Sequence, residues 1–556
     1  MRKLNKWLRR FIYFLLTIAV LIIGLSIYLA CVALVYPPKP ADESSVNLTR
    51  TQLGPNCYTI GNNWIRKSKS GLWEMYIEGE AFERGVINGK LSKELIYTQE
   101  SAFNDQICKL VPSSFYRNFL KYFIAWFNRD LDDNISEEYK LEIYGESKSA
   151  SPEFDYIGSA YQRIMNYHAA HDIGHALQNM AMVGCSSFAT WNGKSQDSLL
   201  IVGRNFDFYV GDKFAENKIV LFCNPKEGYK FMSVTWGGMI GVVSGMNMEG
   251  ITVTINAAKS AIPSGAATPI SLLARKVLQY AKNIDEAIKI IKDSKTFVSE
   301  SFLIGSANDN KAVLIEKTPN SFDVYDPNGN FITCTNHYQG AELSKEIPNQ
   351  VQMNQSASVY RFERLTELLS KVDKNTPKET VSILRNKLGL HDKFIGLGNE
   401  KALNQLICHH SIVFEPQRKL VWISASPWQL GEYVAYDLNK IFAMKGLSEN
   451  RELSDSLNTI AADSFLTTSA YTDFLRFRKM KEQIQNKETV DVNEFIKSNP
   501  EFYDTYVLAG NYLFDKHDYK QAQHFYELAL TKEIATKTEE TKIKNQIERC
   551  IKKQNS

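Results

Sequence analysis

Gly184-Cys185-Ser186-Ser187-Phe188-Ala189-Thr190-Trp191-Asn192-Gly193, followed by Leu199-Leu200-Ile201-Val202-Gly203-Arg204-Asn205-Phe206-Asp207-Phe208, is the stretch on which the fold turns. Two apolar runs flank Asn192-Gly193, a strong hairpin signal, so Cys185 is expected to open one strand and Arg204 and Asp207 to close its partner. The hairpin returns a carboxylate and a guanidinium to a cysteine that directly follows a glycine. In a regular strand residues 204 and 207 face opposite ways, so a bend or bulge near Phe206 is expected if both are to reach the cysteine. If the Gly184-Cys185 bond breaks, Cys185 gains a free α-amine. A thiol of pKa about 8.5 is mostly protonated at neutral pH, whereas an amine of pKa about 7.7–8.0 can take its proton locally. Asp207 can then hold the ammonium and Arg204 the thiolate, each through charge-assisted hydrogen bonds.

Outward from this stretch the chain divides by composition. Residues 11–36 carry no charge, exceeding the roughly 20 residues a bilayer-spanning helix needs, and Arg2, Lys3, Lys6, Arg9 and Arg10 precede them. The positive-inside rule predicts a cytoplasmic tip and membrane anchor over 1–38, with everything that follows on the periplasmic or extracellular side. Residues 39–72 read as a polar linker. In Gly79-Glu80-Ala81-Phe82-Glu83-Arg84-Gly85-Val86-Ile87-Asn88-Gly89 a strand end passes into a helix whose glycines suit close packing. Residues 100–180 read as mostly helical. Within them the aromatic run Phe115 to Phe127, with Arg117 and Lys121 interspersed, fits a core helix or one resting on a membrane or an acyl pocket.

From Cys185 to about 340 short strands dominate, with helices over 270–292, helices again over 358–387 and a closing hairpin at 411–424. Sheets inside and helices outside are the expected layering. After about 445 the strand signal ends. Tyr506, Gly510, Ala522, Tyr526 and Ala529 stand at the spacing of a tetratricopeptide repeat, whose small residues let two helices approach. One such unit needs the catalytic body, a following helix from about 537, or a protein partner to cover it.

A formal charge of +3 over 556 residues gives no case for nucleic acid. The eight cysteines form no CxxC pair and no histidine cluster has metal-ligand spacing, so neither metal nor cofactor is expected.

The Gly79–Gly89 pattern, Gly184-Cys185, Gly203 to Phe208, Gly245 to Gly250 with Asn256, Thr335-Asn336-His337, and Ser358 with Arg361 together resemble the acyl-coenzyme A:6-aminopenicillanic acid acyltransferase family, peptidase family C45 of the N-terminal nucleophile hydrolases. The resemblance covers roughly residues 75–430. It implies an α+β fold, a four-layer αββα sandwich made active by self-cleavage between Gly184 and Cys185. The N-terminal part of the catalytic domain would then be 73–184, its nucleophile-bearing part 185–435, and the helical C-terminal region 446–556. It also implies catalytic roles for Cys185, Arg204, Asp207, Asn256, Asn336 and Arg361. The two asparagines would supply oxyanion hydrogen bonds, and Arg361 would orient the cysteine or bind an acidic group. The expected activity is hydrolysis of a linear amide in a small N-acyl compound through a Cys185 thioester. Acyl transfer to an amine and a non-catalytic anchored scaffold are the alternatives.

Overall fold

The computed structural model describes residues 6–169, 172, 184–209, 211–259 and 267–555. Its strands are β1 Thr51–Gly54, β2 Cys57–Ile60, β3 Asn63–Lys67, β4 Trp73–Gly79, β5 Ser186–Thr190, β6 Ile201–Phe206, β7 Ile219–Pro225, β8 Phe231–Thr235 and β9 Ser244–Asn247. They continue with β10 Ile251–Ala257, β11 Glu300–Ser306, β12 Lys311–Lys317, β13 Phe322–Tyr325, β14 Phe331–Cys334, β15 His410–Glu415, β16 Leu420–Ser424 and β17 Tyr433–Asp437. An eleven-stranded sheet takes the order β1-β2-β3-β4-β7-β8-β9-β10-β11-β12-β13, and a six-stranded one β14-β5-β6-β15-β16-β17. β4 and β7 pair in parallel, Trp73 opposite Ile219, which joins the chain before Cys185 to the chain after it.

The helices before the closing strands are α1 Lys6–Ala33, α2 Ala81–Leu91, α3 Lys93–Leu110, α4 Ser114–Phe127, α5 Glu137–Ser147, α6 Ala160–His168, α7 Asp212–Glu216, α8 Ile270–Tyr280 and α9 Ile284–Asp293. Then come α10 Ile347–Gln355, α11 Ser358–Lys371, α12 Pro377–Leu384, α13 Leu438–Phe442, α14 Ser469–Gln485, α15 Val492–Ser498, α16 Tyr503–Asp515, α17 Tyr519–Ala529 and α18 Lys537–Gln554.

Alternation along the strands sets the cores. Val202, Ile412 and Phe414 of the small sheet face Trp64, Phe222, Met246 and Leu303 of the large one. Their neighbours Ile201 and Val413 point the other way, onto Leu365 and Leu369 of α11 and Val381 and Leu384 of α12. On the far side of the large sheet, Ile65, Met75, Leu221 and Val253 meet Ile87, Ile143, Leu273 and Ile291 from four helices. Each such side chain contributes about 1.5–3 kcal/mol on burial. α2 and α5 cross closely: a Cβ on Gly85 would stand 2.0 Å from the carbonyl oxygen of Glu142, and one on Gly145 2.3 Å from that of Phe82. Glu142 of α5 bonds Arg84 at 2.5 Å and Arg275 of α8 at 2.6 Å, a buried ion-pair triad that ties the chain before Cys185 to the chain after it.

Four expectations change. Residues 39–72 are not a linker: β1, β2 and β3 lie there, with Trp64 and Ile65 buried, turned by Asn56 and Gly61 in left-handed conformation. The β5–β6 hairpin forms, Ser187 opposite Arg204, but its connection spans 191–200 and includes a 3-10 turn at Asn192–Lys194 rather than a two-residue turn. No bulge is needed at Phe206, because β6 ends there and Asp207 lies past its last residue. α4 is no core helix: none of its residues is buried, Phe115, Tyr116, Phe119 and Tyr122 are exposed, and it packs against α1. Of the segment read as helical over 100–180, residues 170, 171 and 173–183 lie outside the described residues.

Within α1, Arg9–Leu29 has a mean hydropathy of 2.5 and is long and apolar enough to cross a membrane. At the other end, Gly510 sits against the ring of Tyr526, and α18 packs on α17. Phe474, Phe502, Tyr503 and Ala509 of the C-terminal helical region share one core with Leu397, Leu406 and Leu430. All eight cysteines are free thiols.

Candidate active site

Cys185 sits one residue ahead of β5 and is buried. The N–H of Gly184 donates to the carbonyl oxygen of Asp207 at 3.0 Å, so the end of β6 runs beside the Gly184-Cys185 bond. Arg204, on β6, directs Nη2 at the Cys185 sulfur at 3.6 Å and also at the carbonyl of Ile255. Its Nη1 donates to the carbonyl of Val243 at 2.7 Å and to the Ser244 hydroxyl. Burial pushes the Cys185 thiol up, partly offset by Arg204, so in the intact chain the sulfur is held protonated.

Arg361 enters from the first turn of α11 and is buried. Its Nη1 donates to the carbonyl oxygens of Gly184 at 3.1 Å and Cys185 at 2.6 Å, and to the Ser186 hydroxyl at 2.9 Å. Nη2 donates to Asn336 Oδ1 at 2.7 Å. Neither Arg204 nor Arg361 has an ion-pair partner among the described residues, and the Nε of each is left without a hydrogen bond. Two buried guanidiniums satisfied chiefly by carbonyls make a site that favours any negative charge arising at Cys185 or on the carbonyl before it.

Asp207 is fully buried and neither carboxylate oxygen has a hydrogen-bond partner. The Cys408 thiol lies near, but it is directed at the carbonyls of Phe206 and His410, 3.5 and 2.8 Å away. Burial raises the Asp207 carboxyl to about 7, against the lowering effects of Arg361, Cys408 and Arg204. An orphaned buried carboxylate costs free energy until it gains a donor or a proton.

The structure gathers Gly184, Cys185, Arg204, Asp207, Asn336 and Arg361 into one cluster. Asn336 is oriented by Ser358, whose hydroxyl accepts its backbone N–H at 2.8 Å, and its own amide donates to the carbonyl of Ala257 at 2.9 Å. Asn256 follows Ile255, whose carbonyl accepts from Arg204, and spends its own amide on neighbouring strands. Its Oδ1 accepts from Ser187 at 3.1 Å and its Nδ2 donates to the carbonyls of Cys334 and Thr335, both at 3.3 Å, so it braces β10 against the end of β14.

One group, Gln405, escaped the sequence reading. Gln405 donates from Nε2 to the Gly184 carbonyl at 3.0 Å across 221 residues. His410 bonds the Ser244 hydroxyl at 2.8 Å and so stands behind Arg204, with His409 Nδ1 2.9 Å from its own Nδ1. Only a polar Asn404-Gln405 pair marked Gln405, and that pattern names no partner. Among the described residues no group of His, Cys, Asp and Glu could hold a metal ion. A cleft of about 1160 Å³ lies between α12 and residues 457–465 and is lined by none of the site residues. A cavity of about 30 Å³, room for about one water, is lined by Phe208, Phe214, Trp236 and Met239 together with Gln99 and Glu100.

Residues 191–426 match the family model described as acyl-coenzyme A:6-aminopenicillanic acid acyl-transferase. Among curated proteins, an uncharacterized protein of Archaeoglobus fulgidus is 22% identical over 369 residues, 59% of this chain and 60% of its own length. Protein dcd1A of Dictyostelium discoideum is 23% identical over 305 residues, 51% of this chain and 66% of its own, and dcd1B of the same organism 20% identical over 271 residues, 45% and 51%. The matches thus span about half to two thirds of those relatives. Solved structures with low overall similarity include a Caenorhabditis elegans N-acylethanolamine-hydrolyzing acid amidase ortholog, with TM-score 0.31, 19% identity, and cover of 42% of this chain and 93% of that one. A mutant of the conjugated bile acid hydrolase from Clostridium perfringens gives TM-score 0.31 and 14% identity, with cover of 46% and 93%. The matched family region begins just after Cys185 and contains Arg204, Asp207, Asn256, Asn336, Arg361 and Gln405, so over that span the chain is similar to an acyl-transferase family.

Proposed function

We propose that this chain is a self-processing cysteine amidohydrolase that cleaves the Gly184-Cys185 bond and then hydrolyses linear amides of small N-acyl compounds through a thioester on Cys185. The observation that carries the reading is the state of that bond. Its carbonyl accepts from Arg361, the following residue is a buried cysteine, and the adjacent Asp207 carboxylate has no partner.

In the processing step the Cys185 sulfur adds to the Gly184 carbonyl carbon, and Arg361 stabilises the oxyanion. The carbon–nitrogen bond breaks, the nitrogen takes the thiol proton, and a Gly184 thioester remains. Water then adds and the carbon–sulfur bond breaks. One water is consumed, leaving a Gly184 carboxylate, a free thiol and an α-ammonium that pairs with Asp207. The two chains stay joined by β4 against β7 and by Glu142 between Arg84 and Arg275.

In turnover the α-amine takes the thiol proton and the thiolate, facing Arg204, attacks the substrate carbonyl. The amine product leaves protonated, and water activated by the α-amine hydrolyses the acyl-Cys185 thioester. The family match favours a second reading, in which an amine rather than water takes the acyl group from the same thioester. We further infer four αββα layers, a cytoplasmic N-terminus with the catalytic body across the membrane, and a repeat-like C-terminus. Purified protein incubated with a panel of N-acyl amino acids, with and without acceptor amines, tests the reading. Release of free acid supports hydrolysis, acylated acceptor supports transfer, and no acyl release from any member contradicts both.

A further inference from the structure

Gln405 is the second donor to the Gly184 carbonyl oxygen. Arg361 Nη1 approaches at 3.1 Å and Gln405 Nε2 at 3.0 Å. Gln405 is buried, and a Cβ on Gly184 would lie 2.4 Å from its Nε2, so the absence of a side chain at residue 184 is what admits it. Two donors converging on one carbonyl oxygen next to a nucleophile form the geometry that stabilises an oxyanion.

The seat of Gln405 is built from both ends of the molecule. Leu406, directly after it, is buried with φ at 55°, a left-handed conformation unfavourable for a leucine. The turn is closed by Asn404 Oδ1, which accepts the Leu406 N–H at 3.1 Å. On the catalytic side, Asn205 of β6 donates to the carbonyl of Leu403 at 2.9 Å. On the other side, the segment from Gly396 to Lys401 is clamped by the C-terminal helical region. Asn499 accepts the N–H of Leu397 at 3.2 Å and donates to its carbonyl at 2.8 Å. Asn399 donates to the carbonyl of Glu533 at 2.8 Å, and Lys401 pairs with the Glu533 carboxylate at 2.6 Å. Gly396, at φ 83°, lies where a Cβ would meet the Phe502 backbone at 2.4 Å. Leu397 and Leu406 belong to the same core as Phe474, Phe502 and Tyr503.

We propose that Gln405 and Arg361 together form the oxyanion site for cleavage of the Gly184-Cys185 bond, and that the C-terminal helical region is required for maturation because it seats Gln405. The proposal rests on the self-cleavage reading above. Gln405 is the catalytic residue in this step, since it touches the reacting carbonyl, and Asn499 is a positioning residue that acts through it.

The test uses full-length protein made in a pulse-labelled cell-free reaction with membranes, following conversion to the chain that begins at Cys185. Gln405→Met keeps the shape and removes the donor. It is expected to slow conversion by about 10²-fold with a melting temperature close to that of the uncleaved Cys185→Ala chain, and hydroxylamine, which cleaves thioesters, is expected not to restore it because the block precedes the thioester. Asn499→Ala, which removes both hydrogen bonds to Leu397, is expected to slow conversion about tenfold or more. In the Gln405→Met background Asn499→Ala is expected to add nothing, whereas a separate structural role would add the same factor in both backgrounds. If wild type converts and Gln405→Met converts at the same rate, or hydroxylamine releases the Gln405→Met chain, the proposal is overturned and self-cleavage stands. If wild type never converts yet hydrolyses amides, self-cleavage itself fails and the proposal with it.

Discussion

Gly184 donates its N–H to the carbonyl oxygen of Asp207 at 3.0 Å, and this one backbone bond sets an unpartnered carboxylate beside the bond that carries Cys185. An acid with nothing to bind in the intact chain is poised for a group that exists only after cleavage, the α-ammonium of Cys185.

Asp207 gives the uncleaved chain a pH signature. Its carboxyl is raised by burial from about 3.9 in the unfolded chain to about 7 in the folded one. Between about pH 4 and pH 7 the folded state therefore holds a proton that the unfolded state has released. This contribution is fully present below pH 4 and is lost as pH rises to 7. Urea unfolding of Cys185→Ala, compared with Cys185→Ala carrying Asp207→Asn, should show the first chain losing stability relative to the second across that window. A parallel pair of curves would remove the buried, unpaired carboxyl.

Arg361→Lys should block processing and not merely weaken it. One guanidinium nitrogen serves two successive carbonyls while the other holds Asn336, a fork that an ammonium cannot reproduce. Conversion to the Cys185-starting chain, followed on gels, should fall by about 10²- to 10³-fold. Conversion at the wild-type rate would remove Arg361 from the oxyanion site.

Gly184→Ala should slow conversion without loss of the fold. The added methyl would lie 2.4 Å from Gln405 Nε2, so Gln405 must withdraw from the carbonyl it serves. A pulse-chase comparison with wild type reads this directly, and equal rates would show that Gln405 has room to stay.

Gly85→Ala tests the join between α2 and α5. The new Cβ would stand 2.0 Å from the Glu142 carbonyl oxygen, a backbone atom that cannot swing aside. The cost should be about 1–3 kcal/mol or more, visible as a lowered melting temperature, while an exposed change such as Lys93→Ala should leave it unaltered.

Much of the sheet was legible because its strands carry β-branched runs: Ile251 to Asn256 and Leu420 to Ser424 were readable as strands from residue type alone. The first three strands were not. Each has four or five residues, they mix Asn, Thr, Gln and Lys with one to three apolar positions, and the burial of β2 and β3 comes from α2 and the rest of the sheet rather than from their own pattern. α4 was ambiguous for the opposite reason, since an aromatic face suits a core and an unburied surface equally well, and only its neighbour α1 distinguishes them. In the site, Cys185, Arg204 and Asp207 were readable because a hairpin is local. Arg361 and Asn336 entered through a resemblance, their sequence distance from the cysteine giving no physical signal. Gln405 could not be found, because its contact with Gly184 depends on the turn at Leu406 and on helices beyond residue 490.

The most direct measurement is N-terminal sequencing and intact mass of the full-length protein purified in active form from membranes. The account predicts two associated chains, one ending at Gly184 and one beginning with Cys185, and a single uncleaved, inactive chain for Cys185→Ala. A wild-type protein that hydrolyses amides while Gly184 and Cys185 remain joined would contradict it.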